Sequence, residues 1–485
     1  MTDDPTTYRP EARVPRGFAD KRSPTIRAER SIVEAVSKVY ESWGFEPLDT
    51  GAFEYADALG KFLPDSDRPN EGVFALQDDD EQWMALRYDL TAPLARFAAQ
   101  NWETLPKPFR RYAVGTVWRN EKPGPGRYRE FIQCDADTVG SARPEADAEI
   151  IAMASAGLEA AGLPKGAAVL KINNRKLLNG LLTAAGVTTD GQKLAVLRAV
   201  DKLDRLGVEG VTLLLGEGRK DESGAFTKGA GLEAKAAESV LAFVGAVGGA
   251  RAEVLDRLSG VVGGSAEGDA GLEELAKIDA ALRGLGVGED QATFDPSVVR
   301  GLEYYTGPVY EAELLIETGG ERFGSVGGGG RYDDLVARFT GERVPATGFS
   351  FGVSRLAAAL KAAGQGIGAE QRGPVVVIAF DQNRMADYFA VAAELRGAGV
   401  PAEVYLGASG MKAQMKYADR RLSPAAVIIG EDEIAAGTVT VKDLDLGREL
   451  AAGVTDNAEW RAERPGQQTI PRGELIAAVK RIIGQ

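Results

Sequence analysis

The 485 residues carry 44% hydrophobic and 26% charged side chains, an ordinary globular balance with chain enough for two to four domains and no apolar run long enough for a membrane span. A formal charge of −14 argues against indiscriminate binding to DNA or other phosphate polymers, although local basic patches can still meet a specific RNA. Histidine is absent and Cys134 is the one cysteine, which excludes imidazole catalysis, intrachain disulfides and cysteine or histidine metal sites, and fits a reducing cytoplasm.

Met1 to Pro10 is polar and acidic, without the apolar core of a signal peptide. Ser23-Pro24 reads as an N-cap followed by proline in the first turn of a helix. Val33, Val36, Tyr40 and Trp43 then recur at helical spacing, and Gly44 closes the element. Phe45 to Asp49 reads as a short strand. Phe109 to Trp118 and Tyr128 to Val139 are predicted strands forming an antiparallel pair around the Pro/Gly loop Lys122 to Gly126. From about Leu177 to Gln291 the text turns rich in Ala, Gly and Leu, and predicts a mainly helical insertion. Strand signals return at Ala292, run through Gly327 to Gly330 and lead into a helix over Val353 to Ala363. Gly364 to Gly373 reads as a linker. Beyond it, strands at Val375–Phe380, Val400–Tyr405 and Ala426–Ile429 alternate with helices at Met385–Gly397 and Met411–Leu422, the pattern of an α/β domain.

Four segments carry chemistry. Trp118-Arg119-Asn120-Glu121 and Gly126-Arg127-Tyr128-Arg129-Glu130-Phe131 put arginines on both sides of a hairpin, where guanidinium groups suit bidentate phosphate contact and Glu121 could hold an exocyclic amine. A solvated charged hairpin is the plainer reading. Arg300-Gly301-Leu302-Glu303-Tyr304-Tyr305-Thr306-Gly307 sets a cation beside paired tyrosines, although core tyrosines in a strand read equally well. Gly327 to Gly330, before Arg331-Tyr332-Asp333-Asp334, lets a ligand press against backbone or forms a flexible turn; no Gly-Lys-Ser/Thr follows, so it is not a P-loop. Gly348-Phe349-Ser350-Phe351-Gly352-Val353-Ser354-Arg355-Leu356 runs a strand into a helix with Arg355 in its first turn. A cation there opposes the helix dipole, so it faces a phosphate, a base or a surface carboxylate.

In order and wording these four segments resemble the class II aminoacyl-tRNA synthetases, and within them the histidyl family. Arg119 to Glu121 with Phe131 matches motif 2, Gly348 to Leu356 matches motif 3, and Arg300–Gly307 and Gly329–Asp333 match the two peptides peculiar to the histidyl members. The resemblance implies an α+β fold, with a class II antiparallel-sheet catalytic domain in two parts (1–176 and 292–368), the helical insertion (177–291) and a C-terminal α/β anticodon-binding domain (374–485). It implies ATP-dependent ligation of L-histidine to tRNA(His) through a histidyl-adenylate, in the cytoplasm, by a homodimer with Ser23–Gly51 at its interface. ATP would enter with Mg2+ as the substrate complex, and no protein-bound zinc or haem is expected.

Carried over by residue, Arg119 would hold the α-phosphate, Glu121 the adenine amine and Arg127 the γ-phosphate, with Phe131 and Arg355 sandwiching the adenine. Arg300 would be the catalytic arginine, and Gln133 would lie near the carboxylate and the transfer step. Asp89 and Thr91 would take the α-amino group, while Asp137, Tyr304 and Tyr305 would surround the imidazole. Lys412, Lys416 and Arg420 recur every fourth residue on one helix face, a stripe that suits tRNA phosphates or simply water. Departures from the family include Tyr88-Asp89-Leu90-Thr91 where many bacterial members have Pro-Glu-Gly-Thr, and Glu303 in place of an aspartate. A non-catalytic relative, the regulatory subunit of ATP phosphoribosyltransferase, is the alternative; that group lacks the terminal domain and erodes the motifs.

Overall fold

Alternation of period two organises the centre of the protein. The computed structural model describes residues 10–62, 72–124, 128–187, 189–220, 224, 226–262, 264–299, 305–318, 321–364, 372–451 and 466–484. By internal contacts the chain divides into Met1–Gly368 and Ala369–Gln485.

The first unit opens with helix α1, Ser23–Ser42, which buries Ile32, Val36 and Tyr40. Ser23 is already helical. Arg22 takes the cap position, no side chain caps the end, and Pro24 sits in the first turn, where its missing amide costs nothing. Gly44, at φ +82°, turns the chain into strand β1, Glu46–Pro47, shorter than the predicted Phe45–Asp49. Strands β2 (Phe53–Tyr55), β3 (Ala75–Gln77) and β4 (Trp83–Leu86) form a small sheet, and helix α2 covers Thr91–Asn101.

Strands β5 (Phe109–Trp118) and β6 (Glu130–Val139) pair antiparallel, as their alternating text requires. After α3 (Pro144–Ala160) come β7 (Ala168–Asn174) and a helical stretch. Its helices are α4 (Arg175–Ala184), α5 (Asp190–Val200), α6 (Leu203–Leu215), α7 (Ala234–Val244), α8 (Arg251–Val262) and α9 (Ala266–Gly284). A small hairpin, β8 (Gly218–Lys220) with β9 (Phe226–Lys228), interrupts them. Then follow β10 (Ala292–Phe294), β11 (Pro308–Thr318), β12 (Glu321–Arg331), the short α10 (Ala337–Thr340), β13 (Ala346–Gly352) and α11 (Val353–Ala362).

Eight strands make one sheet in the order β1-β5-β6-β13-β12-β11-β7-β10. Its interior pairs are antiparallel, and only the edge pairs β1/β5 and β7/β10 are parallel. The back of the sheet meets α1, α3 and α11; there Cys134, Ala136 and Phe351 are buried, and the Phe351 ring lies against Gly157 of α3. Residues of the helical stretch share this same continuous apolar core. The glycine run is not a turn: Gly327–Gly330 lies inside β12, paired on both sides.

The second unit has a five-stranded sheet in the order β15-β14-β16-β17-β18. Strands β14 (Val375–Ile378), β15 (Ala402–Val404) and β16 (Ala425–Ile428) run parallel, connected by α12 (Met385–Gly397) and α13 (Met411–Arg420). Strands β17 (Thr438–Asp443) and β18 (Gln467–Pro471) add antiparallel pairs, and a final helix covers Leu475–Ile483. The apolar runs of β14 and β16 are fully buried because helices cover a parallel sheet on both faces.

Candidate active site

The front of the large sheet carries a cleft of about 470 Å3. Register decides what faces it. On β6, Phe131, Gln133, Asp135 and Asp137 alternate with the buried Cys134 and Ala136. On β13 the partners of Gln133, Asp135 and Asp137 are Gly352, Ser350 and Gly348, and on β12 Gly328 and Gly330 lie beside Ser350 and Gly348. The floor is therefore carboxylates and an amide on one strand and mainly hydrogen atoms on the next two. A Cβ added at Gly348 would lie 1.9 Å from Asp137 Oδ1, and one at Gly330 would lie 2.8 Å from the Tyr305 ring. Only glycine admits both groups.

At the deep end Asp137 is 2% exposed. Its Oδ1 accepts the Tyr332 hydroxyl, and Arg111 Nη2 stands 2.9 Å from Oδ2, close enough for an ion pair but not aligned as a hydrogen bond. Arg111 faces Asp137 across the β5/β6 pair and donates to Leu90 O at 2.8 Å. Burial raises the Asp137 pKa, opposed by the Arg111 charge. Its neighbour Asp135 is pushed up to about 8, chiefly by burial, again against the attraction of Arg111. Among the described residues Gln133 Oε1, Asp135 Oδ2 and Arg111 Nε and Nη1 are buried without hydrogen-bond partners. Each such group costs roughly 1–3 kcal/mol until something pairs with it.

At the other end Arg119 lies just past the end of β5, its guanidinium 4.3 Å from the Tyr88 ring and 5.2 Å from the Phe131 ring. Its Nε points to Tyr88 O at 3.4 Å. Glu121 also lies beyond the strand; it is exposed, is not part of the cleft lining, and accepts the Tyr88 hydroxyl at 2.7 Å. Arg355 reaches the cleft from the first turn of α11, donating to Phe323 O at 3.2 Å. Asp89 Oδ1 accepts the backbone N–H groups of Thr91 and Ala92 at 3.1 and 2.9 Å, so this carboxylate caps α2 as well as lining the cleft.

Of the residues singled out in the sequence, the cleft brings together Asp89, Thr91, Arg119, Phe131, Gln133, Asp137, Tyr305 and Arg355. Arg127, Arg300 and Tyr304 lie outside the described residues. Lys412, Lys416 and Arg420 are exposed along α13, while the adjacent Arg421 pairs with Glu403 at 3.0 Å. Motif reading passed over Asp135, Ser350 and Arg111. The signal was present in the period of two: Gln133 and Asp137 on one face entail Asp135 between them.

Residues 17–356 match the histidyl-tRNA synthetase family, and residues 374–482 match the anticodon binding domain. The chain belongs to the histidyl-tRNA synthetase family. A histidine–tRNA ligase of Caulobacter vibrioides is 76% identical over 99% of this chain and 98% of its own length. One from Cereibacter sphaeroides is 55% identical over 99% of each chain. Among solved structures, a histidyl-tRNA synthetase from Nostoc sp. superposes with a TM-score of 0.73 at 30% identity, covering 98% of this chain and 100% of its own. A Bacillus halodurans protein described as an ATP phosphoribosyltransferase regulatory subunit/histidyl-tRNA synthetase superposes at 0.66 over 84% of this chain and 97% of its own; at 22% identity that likeness speaks to the fold. A membrane span finds no support, since among the described residues no helix is long and apolar enough for one.

Proposed function

We propose that this chain joins L-histidine to tRNA(His) at the expense of ATP, through a histidyl-adenylate. The observation that carries the reading is one continuous cleft with an aromatic and guanidinium end at Phe131, Arg119 and Arg355, and a carboxylate end at Asp137 beside Tyr305. Adenine lies between Phe131 and Arg355, with Glu121 taking its amine once the Tyr88 hydroxyl yields it. Arg119, stacked on Tyr88 and Phe131, meets the α-phosphate, and fixed positive charge there stabilises the negative charge that develops as the histidine carboxylate attacks. Arg127 and Arg300 add charge toward the γ-phosphate and the reacting centre. Magnesium travels with ATP as part of the substrate.

Asp137 accepts an imidazole N–H, with Arg111 and Tyr332 holding it in place and Tyr304 and Tyr305 walling the ring. A site built around such bonds discriminates by stranding its own polar groups when a non-donating analogue enters, by ~10⁴ or more. Asp89 and Thr91 lie toward the α-amino group and Gln133 toward the carboxylate and the transfer to the terminal ribose. Lys412, Lys416 and Arg420 contact tRNA phosphates from the C-terminal unit. The enzyme works as a cytoplasmic homodimer. Exchange of pyrophosphate into ATP that depends on histidine, followed by histidylation of tRNA(His), tests the reading; its absence with folded, full-length protein would end it. The regulatory-subunit reading has less support, because the C-terminal residues match an anticodon binding domain.

A further inference from the structure

The two proposed flanks of adenine stand on different elements: Phe131 near the start of β6, Arg355 in the first turn of α11. The ladder that joins β6 to β13 stops at Gln133 and Gly352, short of both residues. There a single hydroxyl takes over. Ser354 Oγ accepts the Ile132 N–H at 3.3 Å, where the strand partner has run out, and the Lys21 ammonium, also at 3.3 Å. Ile132 adjoins Phe131 and Ser354 adjoins Arg355, so this oxygen links the two flanks from behind. A hydroxyl oxygen has two lone pairs, and both are used.

Lys21 is itself held. Its Nζ lies 2.8 and 3.0 Å from the two oxygens of Glu29, whose side chain is 4% exposed on α1. The residues before it meet the hairpin: Gly17 O accepts the Arg129 N–H at 2.8 Å, two residues ahead of Phe131. Gly17 has φ +88°, and a Cβ there would lie 2.8 Å from the Arg129 side chain, so only glycine allows the two to meet so closely. Residues 17–21 thus touch the hairpin at one end and α11 at the other. A base gripped between a ring and a guanidinium needs the two about 7 Å apart, and a gap ~1 Å wider forfeits up to half of one contact. We propose that residues 17–21 are a strap that sets this separation, with Lys21 and Ser354 as positioning residues for adenine. Neither lines the cleft. Both act through their neighbours.

The inference rests on the reading that Phe131 and Arg355 flank adenine, and pyrophosphate exchange with the full-length protein separates the two. Ser354→Ala removes the shared acceptor and should raise the KM for ATP ~5-fold while leaving that for histidine within about twofold of the parent. Ser354→Thr keeps the hydroxyl and should stay within about twofold of the parent for both substrates. Lys21→Met should raise the KM for ATP roughly 10-fold. Because both act through one oxygen, the double variant should fall short of the ~50-fold product. Should Lys21→Met not fold, Ser354→Ala and the threonine variant decide. Phe131→Leu is the control. An unchanged KM for ATP in that variant would end the placement of adenine and the strap with it. A raised one beside an unchanged Ser354→Ala would overturn the strap alone, as would equal rises for ATP and histidine in Ser354→Ala, or a threonine variant as impaired as the alanine.

Discussion

Two buried charged networks lie back to back across β13, and they are finished to different degrees. Behind the sheet, Arg331 donates through Nε to Asp147 at 3.0 Å and through Nη1 to Ser141 O at 2.8 Å, while Thr347 donates to the other Asp147 oxygen at 2.7 Å. None of these side chains appears among the buried groups left without partners. In front, one or two residues along the same strand, Arg111, Gln133 and Asp135 all keep bare atoms. Interiors ordinarily pair their polar groups, so a complete network behind and an incomplete one before the same strand separate architecture from binding site. The rear network ties α3 to the sheet. The front one leaves Gln133 and Asp135 oxygens open beside the cleft.

That contrast can be broken experimentally. The largest effect should come from the rear: Asp147→Ala strands a buried guanidinium and should cost about 3–5 kcal/mol in chemical denaturation, while protein that remains folded keeps its histidine affinity. Comparable losses of affinity would show that the two networks are not independent. Arg300→Ala should slow adenylate formation by ~10² or more in pyrophosphate exchange, with melting temperature and tRNA binding retained; equal rates would retire that arginine as the catalytic one. Gly348→Ala would drive its new methyl into the Asp137 carboxylate, and should weaken histidine binding about tenfold or more as the bond to the imidazole is misaimed.

A smaller effect should appear in the pH dependence of the unliganded protein. Burial raises Asp135 to about 8 from a usual 3.8, so between these values the folded chain holds a proton that the unfolded chain has released. The stability this group contributes is whole below pH 3.8 and is lost as pH rises through about 8. Melting temperature should therefore fall over that window and fall less in Asp135→Asn; identical profiles would refute the buried, unpaired carboxyl. The smallest effect lies in the other unit, where Lys412→Ala should lower the slope of log affinity for tRNA against log salt by about 1.

How much of this was legible beforehand depended on the kind of signal. The β5/β6 pair was readable because alternation is a local consequence of strand geometry, and the predicted Met385–Gly397 helix has those bounds in the structure. The Ser23 cap misled, because a cap is defined by one residue's backbone angles and Pro24 is tolerated anywhere in the first turn. Glu121 carried no face that alternation could assign, because the strand ends at Trp118 and alternation says nothing beyond the last paired residue. The glycine run left turn and strand open, since glycine lacks the side chain through which a strand announces itself. Ser350 was out of reach for another reason: its meaning comes from a cross-strand partner, and register between β6 and β13, more than two hundred residues apart, is fixed only when the sheet assembles.

The glycines of β12 and β13 have one more consequence. Here the hollow is excavated by leaving side chains out. Its depth is then set in methyl-sized steps that leave the backbone untouched. At Gly328 an added Cβ would meet nothing nearer than the Tyr310 carbonyl, at 3.5 Å, so an alanine there would sit comfortably and simply raise the floor. At that one position the floor can be raised by a carbon without disturbing the groups at either end of the cleft, whereas at Gly348 the same carbon would meet Asp137.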